Sequence, residues 1–156
     1  MNNSLFRNGV SAIIVNSDNE ILLVNLLSFK SHFYALPGGG LEDNEQEIDA
    51  IYRELHEELG IQKTSLELVG TCKDPITFRF QTKKLSRNGT EYDGSRRYCF
   101  GFKFTGSNSE IMTSSDEVRS YLWSPYSMLN KYLLFDNQLQ ESQEKTLELF
   151  PTADKL

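Results

Sequence analysis

The stretch from Gly39 to Ile61 decides the fold, and it reads GGLEDNEQEIDAIYRELHEELGI. Glycines open it, and an amphipathic segment with three carboxylates, Glu54, Glu57 and Glu58, follows. At about 100° per residue, positions i, i+3 and i+4 share one face of a helix, so the three carboxylates converge. Like charges at this spacing repel one another. A hard divalent cation such as Mg²⁺ or Mn²⁺, which takes oxygen ligands, would compensate them.

The apolar residues of this segment lie on a different stripe of the helix, at Ile48, Ile51, Tyr52, Leu55 and Leu59. The helix can therefore bury one side while its acids stay out of the core. We expect it to begin near residues 44–46 and to end at Gly60, which suits a left-handed C-cap. A solvated Glu-rich face is the alternative to a metal site, and the three glutamates alone do not decide between them.

The whole pattern resembles the signature of the Nudix hydrolase family: Gly, five residues, Glu, seven residues, Arg-Glu-apolar, one residue, Glu-Glu, one residue, Gly-apolar. The chain meets it without a substitution at Gly39, Glu45, Arg53, Glu54, Leu55, Glu57, Glu58, Gly60 and Ile61. This spacing is far more specific than a glycine motif alone. The resemblance implies that residues 1–156 form a single Nudix domain, of α/β class, with an α/β/α sandwich around a central mixed sheet.

The resemblance also implies roles for the residues of this stretch, called the box below. The implied ligands of Mg²⁺, or of Mn²⁺ in its place, are the carboxylates of Glu54, Glu57 and Glu58 and a backbone carbonyl of Gly39 or Gly40. Glu57 is the first candidate for the base that deprotonates the attacking water. Arg53 would contribute to catalysis by orienting the glutamates, since it lies one turn before Glu57. Glu45 and Gly60 would be structural.

Two segments outside the box are similar to bacterial RNA 5′-pyrophosphohydrolases and dinucleoside polyphosphate hydrolases. Residues 116–124, DEVRSYLWS, look like their late segment, in which a Glu precedes a strand that contains Trp. Glu117 is therefore a candidate base or further metal ligand, with an exposed loop acid as the alternative. Residues 6–10, FRNGV, are similar to their N-terminal Tyr-Arg-x-x-Val stretch, so Arg7 is a candidate phosphate contact.

A local excess of cations marks residues 81–95, a polar connection by pattern, and their borders: Arg79, Lys83, Lys84, Arg87, Arg96 and Arg97. Glu91 and Asp93 are the acids among them. Near the site, these cations would suit a long phosphate chain or an RNA 5′ end. A solvated loop is the alternative. The candidate substrate-binding residues are therefore Arg7, Lys83, Lys84, Arg96 and Arg97.

The resemblance implies metal-dependent cleavage of a phosphoanhydride bond in a nucleoside diphosphate linked to another group. We expect a (di)nucleoside polyphosphate or an RNA 5′-polyphosphate end as substrate. Gly38 after Pro37 and Asp136 after Phe135 depart from those subfamilies. A nucleoside triphosphate or nucleotide-sugar pyrophosphatase, of the ADP-ribose or GDP-mannose type, therefore stays open. A non-catalytic nucleotide-sensing module is an alternative of another class, which the intact acids oppose.

Composition sets further bounds. A chain of 156 residues with 38% apolar content fits one globular domain. The formal charge of −6 opposes broad electrostatic binding to nucleic acid.

Neither a signal-peptide pattern nor a membrane span is recognisable, so we expect a cytoplasmic protein without a membrane partner. Cys72 and Cys99 are expected to be buried free thiols. A homodimer stays open, since many family members dimerise.

The remaining pattern predicts a hairpin over residues 10–15 and 21–27, one or two strands within 66–80, and strands over 96–105 and 117–123. Residues 125–134 and 142–150 are expected to be helical. Four aromatic residues recur at period two, so they share one face of their strand: Tyr98, Phe100, Phe102 and Phe104. We expect that face to line the core under the box helix, with base stacking by one or two of them as the alternative.

Overall fold

The computed structural model describes residues 5–85, 89–114 and 116–155. Arg87 lies outside the described residues. The strands are β1 (Phe6–Val15), β2 (Glu20–Leu26), β3 (Gly38–Gly40), β4 (Leu66–Thr71), β5 (Ile76–Leu85), β6 (Glu91–Phe104) and β7 (Val118–Pro125). The α-helices are α1 (Glu47–Leu59) and α2 (Gln138–Leu149). Short 3-10 helices lie at Lys63–Ser65, Asn108–Glu110 and Tyr126–Lys131.

The described strands form a seven-stranded mixed sheet, and its topology brings the glycine loop to the start of β1. The strand order is β4-β6-β1-β2-β7, with β5 paired to β6 and β3 to β1. The β1 and β6 strands are parallel, and Gly9 lies opposite Arg97. The β3 strand runs antiparallel to β1, with Gly39 opposite Val10. The central strand therefore carries the glycine loop close to the cationic part of β6.

Each face of the sheet is covered by a helix over its own apolar cluster. Under α1, Ile51, Leu55 and Leu59 pack with the buried face of β6, including Phe102. The expected aromatic face of β6 is part of this cluster, as predicted. On the other face, a second cluster includes Cys99 and Leu129, and Leu139 and Leu149 of α2 pack against it. The α/β/α sandwich with a central mixed sheet is confirmed.

The predicted polar connection over residues 81–95 is wrong in its boundaries. The β5 strand continues to Leu85, β6 begins at Glu91, and Lys84 lies opposite Tyr92. The prediction failed because the two strands form an antiparallel extension whose side chains are mainly polar or cationic. Such a segment keeps its backbone ladder while showing no apolar periodicity.

The C-terminal helices also differ in detail from the prediction. The helical stretch expected within 125–134 is a 3-10 helix, and α2 begins at Gln138, earlier than residue 142. Cys72 and Cys99 are buried and free, as expected. Among the residues that the structure describes, no helix is both long and apolar enough to cross a membrane.

Candidate active site

The backbone conformation at the two caps defines where the box helix α1 begins and ends. Gln46 at its N-cap is extended, and Gly60 at its C-cap is left-handed with φ of 67°. The Gly60 N–H donates to the carbonyl of His56, which ends the helix where the sequence predicts. Between these ends, Glu54 and Glu58 lie buried beside β3, whereas Glu57 is exposed.

Arg53 ties the acids of the box together. Its guanidinium donates to both carboxylate oxygens of Glu45, at 2.7 and 2.8 Å. It also donates to the carbonyl of Gly40 at 3.0 Å, to Glu54 at 3.0 Å and to Glu57 at 3.2 Å. Hydrogen bonds from Arg53 lower the pKa of Glu45, despite the opposing effect of burial. One planar cation therefore fixes the glycine loop and three box glutamates in a single arrangement.

Two buried carboxylates face the glycine loop. The N–H of Gly38 donates to Glu58 at 3.1 Å. Burial, followed by the neighbouring charge of Glu54, raises the pKa of Glu58 to about 8. Burial also raises the pKa of Glu54, against the attraction of Arg53. A Cβ at Gly39 would overlap the Glu54 carboxyl group, so this position requires glycine. A nearby positive charge would stabilise the ionised form of both carboxylates.

A third carboxylate reaches this pair from the loop before β7. Glu54, Glu58 and Glu117 each offer one oxygen, and these three oxygens lie within 4.8 Å of one another. Converging carboxylate oxygens match the ligand preference of Mg²⁺ and Mn²⁺, so the donor set fits a hard divalent cation.

Two members of the predicted ligand set, Glu57 and the Gly40 carbonyl, contact Arg53 in the structure. The side chain of Glu57 is 51% exposed and pairs with Arg53, outside the group formed by Glu54, Glu58 and Glu117. Glu117, predicted as a candidate base or further metal ligand, lies in that group. The Gly40 carbonyl accepts a hydrogen bond from Arg53.

The site lies in a polar cleft of about 1320 Å³, which also contains Glu57 and Glu117. Of the predicted substrate-binding cations, Arg7 and Arg97 line this cleft. Arg97 is half-buried; burial lowers its pKa, against the attraction of Glu58. Two guanidinium groups therefore line the same cleft as the acidic cluster.

The other predicted cations are distributed differently. Lys84 lines a neighbouring pocket and lies over the ring of Phe80, 4.7 Å from its centre. Lys83 is largely exposed and lies 3.9 Å from Asp93. Arg96 packs over Phe6, 5.3 Å from its ring centre. Neither Lys83 nor Arg96 lines the cleft or the pocket.

The neighbouring pocket was missed by the sequence analysis. It has a volume of about 470 Å³ and is lined by aromatic side chains from three segments: Phe29, Phe78, Phe80 and Phe135. The period-two spacing of Phe78 and Phe80 indicates a shared face, which was the available signal. Their meeting with Phe29 and Phe135 depends on tertiary packing that no local pattern contains.

Comparison with known proteins identifies the family of this chain. The model of the NUDIX domain family matches residues 5–150. An RNA pyrophosphohydrolase of Bartonella bacilliformis is 30% identical over 120 residues, which cover 72% of this chain and 69% of the relative. An RNA pyrophosphohydrolase of Pelagibacter ubique is 29% identical over 120 residues, 75% of each chain.

The fold is similarly shared with solved structures. The crystal structure of a C. elegans Ap4A hydrolase binary complex superposes with a TM-score of 0.63 at 17% identity, covering 92% of this chain and 98% of that one. The chain belongs to the Nudix family. It is a pyrophosphohydrolase that acts on phosphoanhydride bonds, and the predicted enzyme class is confirmed.

Proposed function

We propose that this chain is a metal-dependent hydrolase of a 5′-polyphosphate end of RNA or of a dinucleoside polyphosphate. The observation that carries the proposal is the convergence of Glu54, Glu58 and Glu117 in a cleft that Arg7 and Arg97 also line. The relatives named RNA pyrophosphohydrolases support the choice of substrate. In this proposal the chain works as a single domain in the cytoplasm, and a second copy is not required for the site.

Glu54, Glu58 and Glu117 would hold Mg²⁺, with Mn²⁺ as a substitute. Such an ion neutralises phosphate oxygens and lowers the pKa of bound water. Arg7 and Arg97, which line the same cleft, would neutralise the remaining phosphate charge.

In the same proposal, Glu57 is the base. It lines the cleft, is exposed to the water that would attack phosphorus, and is oriented by Arg53 at 3.2 Å. Its position outside the acidic group leaves its carboxylate able to accept a proton. Arg53 is a positioning residue, since its donors are used by Glu45, Glu54, Glu57 and Gly40.

A nucleoside triphosphate or nucleotide-sugar substrate is the second candidate. It is favoured by the loop at residues 36–40, LPGGG, in which Gly38 replaces the usual Gln or Lys of the RNA and dinucleoside branch. In the structure, the Gly38 N–H donates to Glu58. This position therefore supplies a backbone donor to the acidic group and has no side chain for the substrate.

The test is a substrate panel resolved by chromatography, with Mg²⁺ or Mn²⁺ present. The panel contains 5′-triphosphorylated RNA, diadenosine polyphosphates, nucleoside triphosphates and ADP-ribose. We expect metal-dependent release of phosphate or pyrophosphate from the RNA, or asymmetric cleavage of the dinucleotide. Faster turnover of a nucleoside triphosphate or ADP-ribose would overturn the choice of substrate. Nucleotide binding without turnover would favour the sensing module.

A further inference from the structure

The pocket beside the catalytic cleft has the shape and chemistry of a nucleobase site. Its volume of about 470 Å³ lies within the usual range for small-molecule sites, roughly 300–1,000 Å³. Phe29 and Phe135 pack edge to face at 4.9 Å, and Phe78 and Phe80 from β5 are 6.1 Å apart. All four rings line the pocket and stay partly exposed to it. Aromatic walls of this kind favour a planar ring over a flexible or highly charged group.

The pocket joins the catalytic cleft through shared walls. Arg7, Arg97, Glu58 and the loop Gly38–Gly40 line both spaces. A nucleotide can therefore place its ring among the aromatic residues and its phosphates between Arg7, Arg97 and the acidic group. This continuity connects the pocket to the proposed reaction.

Two side chains of α2 give the pocket a polar edge. Glu141 and Ser142 line it, and within the described parts of the chain neither side chain has a hydrogen bond or ion pair. Ser142 lines the pocket and is only 3% exposed. Gln138, by contrast, has a hydrogen bond at both ends of its amide group. It donates to the carbonyl of Tyr34 at 2.7 Å and accepts from the Phe135 N–H at 3.1 Å.

An acid in the first turn of a helix is favourable by itself, because it faces the positive end of the helix dipole. That effect accounts for an acidic residue at position 141. It does not account for a carboxylate that, within the described residues, has no partner and lies on the wall of an aromatic pocket beside Ser142.

We infer that this pocket selects guanine, with the Glu141 carboxylate accepting hydrogen bonds from the base, an inference that rests on the proposed nucleotide hydrolysis. An ionised carboxylate is acceptor-only. Guanine presents two adjacent donors on its Watson–Crick edge, N1–H and the 2-amino group, which match the two carboxylate oxygens. Adenine and cytosine place a ring-nitrogen acceptor beside their amino group, and uracil flanks its N–H with two carbonyls. Ser142 lies next to this edge as a further donor or acceptor.

Equilibrium binding separates this inference from turnover. We would measure the Kd of GDP, IDP and ADP by calorimetry in the presence of Mg²⁺. A bidentate contact to a base is worth roughly 1–3 kcal/mol of discrimination, which corresponds to GDP binding about 5- to 150-fold more tightly than ADP. IDP keeps N1–H and lacks the 2-amino group, so its Kd should lie between the other two.

Variants then assign the preference to one side chain. Glu141→Gln should bring the Kd values of GDP and ADP within about twofold of each other, because one carboxylate oxygen is replaced by a donor. Glu144→Gln is the matched control, since Glu144 is exposed on the same helix and bonds Gln140 instead of lining the pocket. It should leave the preference intact. Phe80→Leu should weaken all three ligands together, which would locate the base among the aromatic residues.

Equal Kd values for GDP and ADP in the unmodified protein, or a preference for GDP that survives Glu141→Gln, would overturn the inference. Thermal unfolding of each variant shows whether it is folded, and Phe80→Leu provides a second route should Glu141→Gln fail to fold. The proposed function fails separately: a guanine preference in binding without hydrolysis would refute the function and keep the pocket. Hydrolysis with equal Kd values for GDP and ADP would refute the guanine inference and keep the proposed function.

Discussion

At the scale of single residues, Arg53 forms more hydrogen bonds in the site than neutralising one neighbouring carboxylate would require. Its fork of donors holds Glu45 through two bonds and reaches Glu54, Glu57 and Gly40. A lysine keeps the charge but not this planar arrangement. We therefore predict that Arg53→Lys lowers kcat by about 10- to 100-fold, the usual cost of losing an outer-shell partner of a metal site. Steady-state kinetics at saturating Mg²⁺ would check it, and an unchanged kcat would show that charge alone suffices.

Glu57 and Glu58 are adjacent in sequence but have different surroundings. Glu58 is buried and bonded by Gly38, whereas Glu57 is half exposed and bonded by Arg53. We predict that Glu57→Gln removes most turnover while the Kd of Mn²⁺ stays within about threefold of the unmodified protein, since its carboxylate lies outside the acidic group. Rapid-quench kinetics and Mn²⁺ titration measure the two effects. Loss of Mn²⁺ binding would make Glu57 a ligand, and retained turnover would exclude it as the base.

At the residue scale, the sequence predicted one of these contacts and left the roles of the three glutamates undecided. Helix geometry correctly predicted that Arg53 pairs with Glu57, because a separation of four residues brings them together. It could not decide which of Glu54, Glu57 and Glu58 face the substrate. That depends on where β3 contacts α1 and on the position of Glu117, both of which are tertiary features.

At the scale of elements, the β5–β6 hairpin divides its cations between two environments. Lys84 lines the aromatic pocket, whereas Lys83 lies near Asp93 and does not line the pocket. We predict that Lys84→Ala raises KM for the nucleotide substrate about three- to tenfold, because Lys84 packs on the Phe80 ring of the pocket wall, a contact worth roughly 1 kcal/mol. Lys83→Ala is the control and should leave KM unchanged. Equal effects of the two substitutions on KM would mean that the hairpin acts only through its net charge.

The elements themselves were predictable where burial imposes a period. The box helix, the β1–β2 hairpin and the aromatic face of β6 were predicted because one side of each packs in the core. The outer parts of β5 and β6 were not, since their hydrogen-bonding pattern leaves little trace in apolar spacing. The stretch at Tyr126–Lys131 was predicted to be helical, but its 3-10 type was not. The aromatic pocket was missed for a related reason, as its rings come from distant segments.

At the scale of the whole molecule, the buried acids couple stability to pH and to metal. The pKa of Glu58 rises from its usual 4.5 to about 8 on folding, so the folded state holds this proton more tightly than the unfolded one. The contribution of Glu58 to the free energy of unfolding is therefore greatest below pH 4.5, falls between 4.5 and about 8, and is level above that range.

We predict that urea unfolding in EDTA shows this fall in stability between pH 5 and 8, and that saturating Mg²⁺ largely removes it. The ion would stabilise the carboxylate form that burial disfavours. Glu58→Gln, which cannot ionise, should flatten the profile in EDTA. A fall of the same size with and without Mg²⁺ would mean that the titrating groups lie elsewhere.

The central claim is that Glu54, Glu58 and Glu117 together form the metal site of a Nudix pyrophosphohydrolase. Its most direct test is a Mn²⁺ titration monitored by electron paramagnetic resonance, on the unmodified protein, Glu58→Gln, Glu117→Gln and the exposed control Glu144→Gln. We predict that Glu58→Gln and Glu117→Gln each weaken Mn²⁺ binding at least tenfold, since losing even an outer-shell partner of a metal site costs about 10- to 100-fold, while Glu144→Gln binds as the unmodified protein does. Unchanged Mn²⁺ affinity in both site variants would contradict the account.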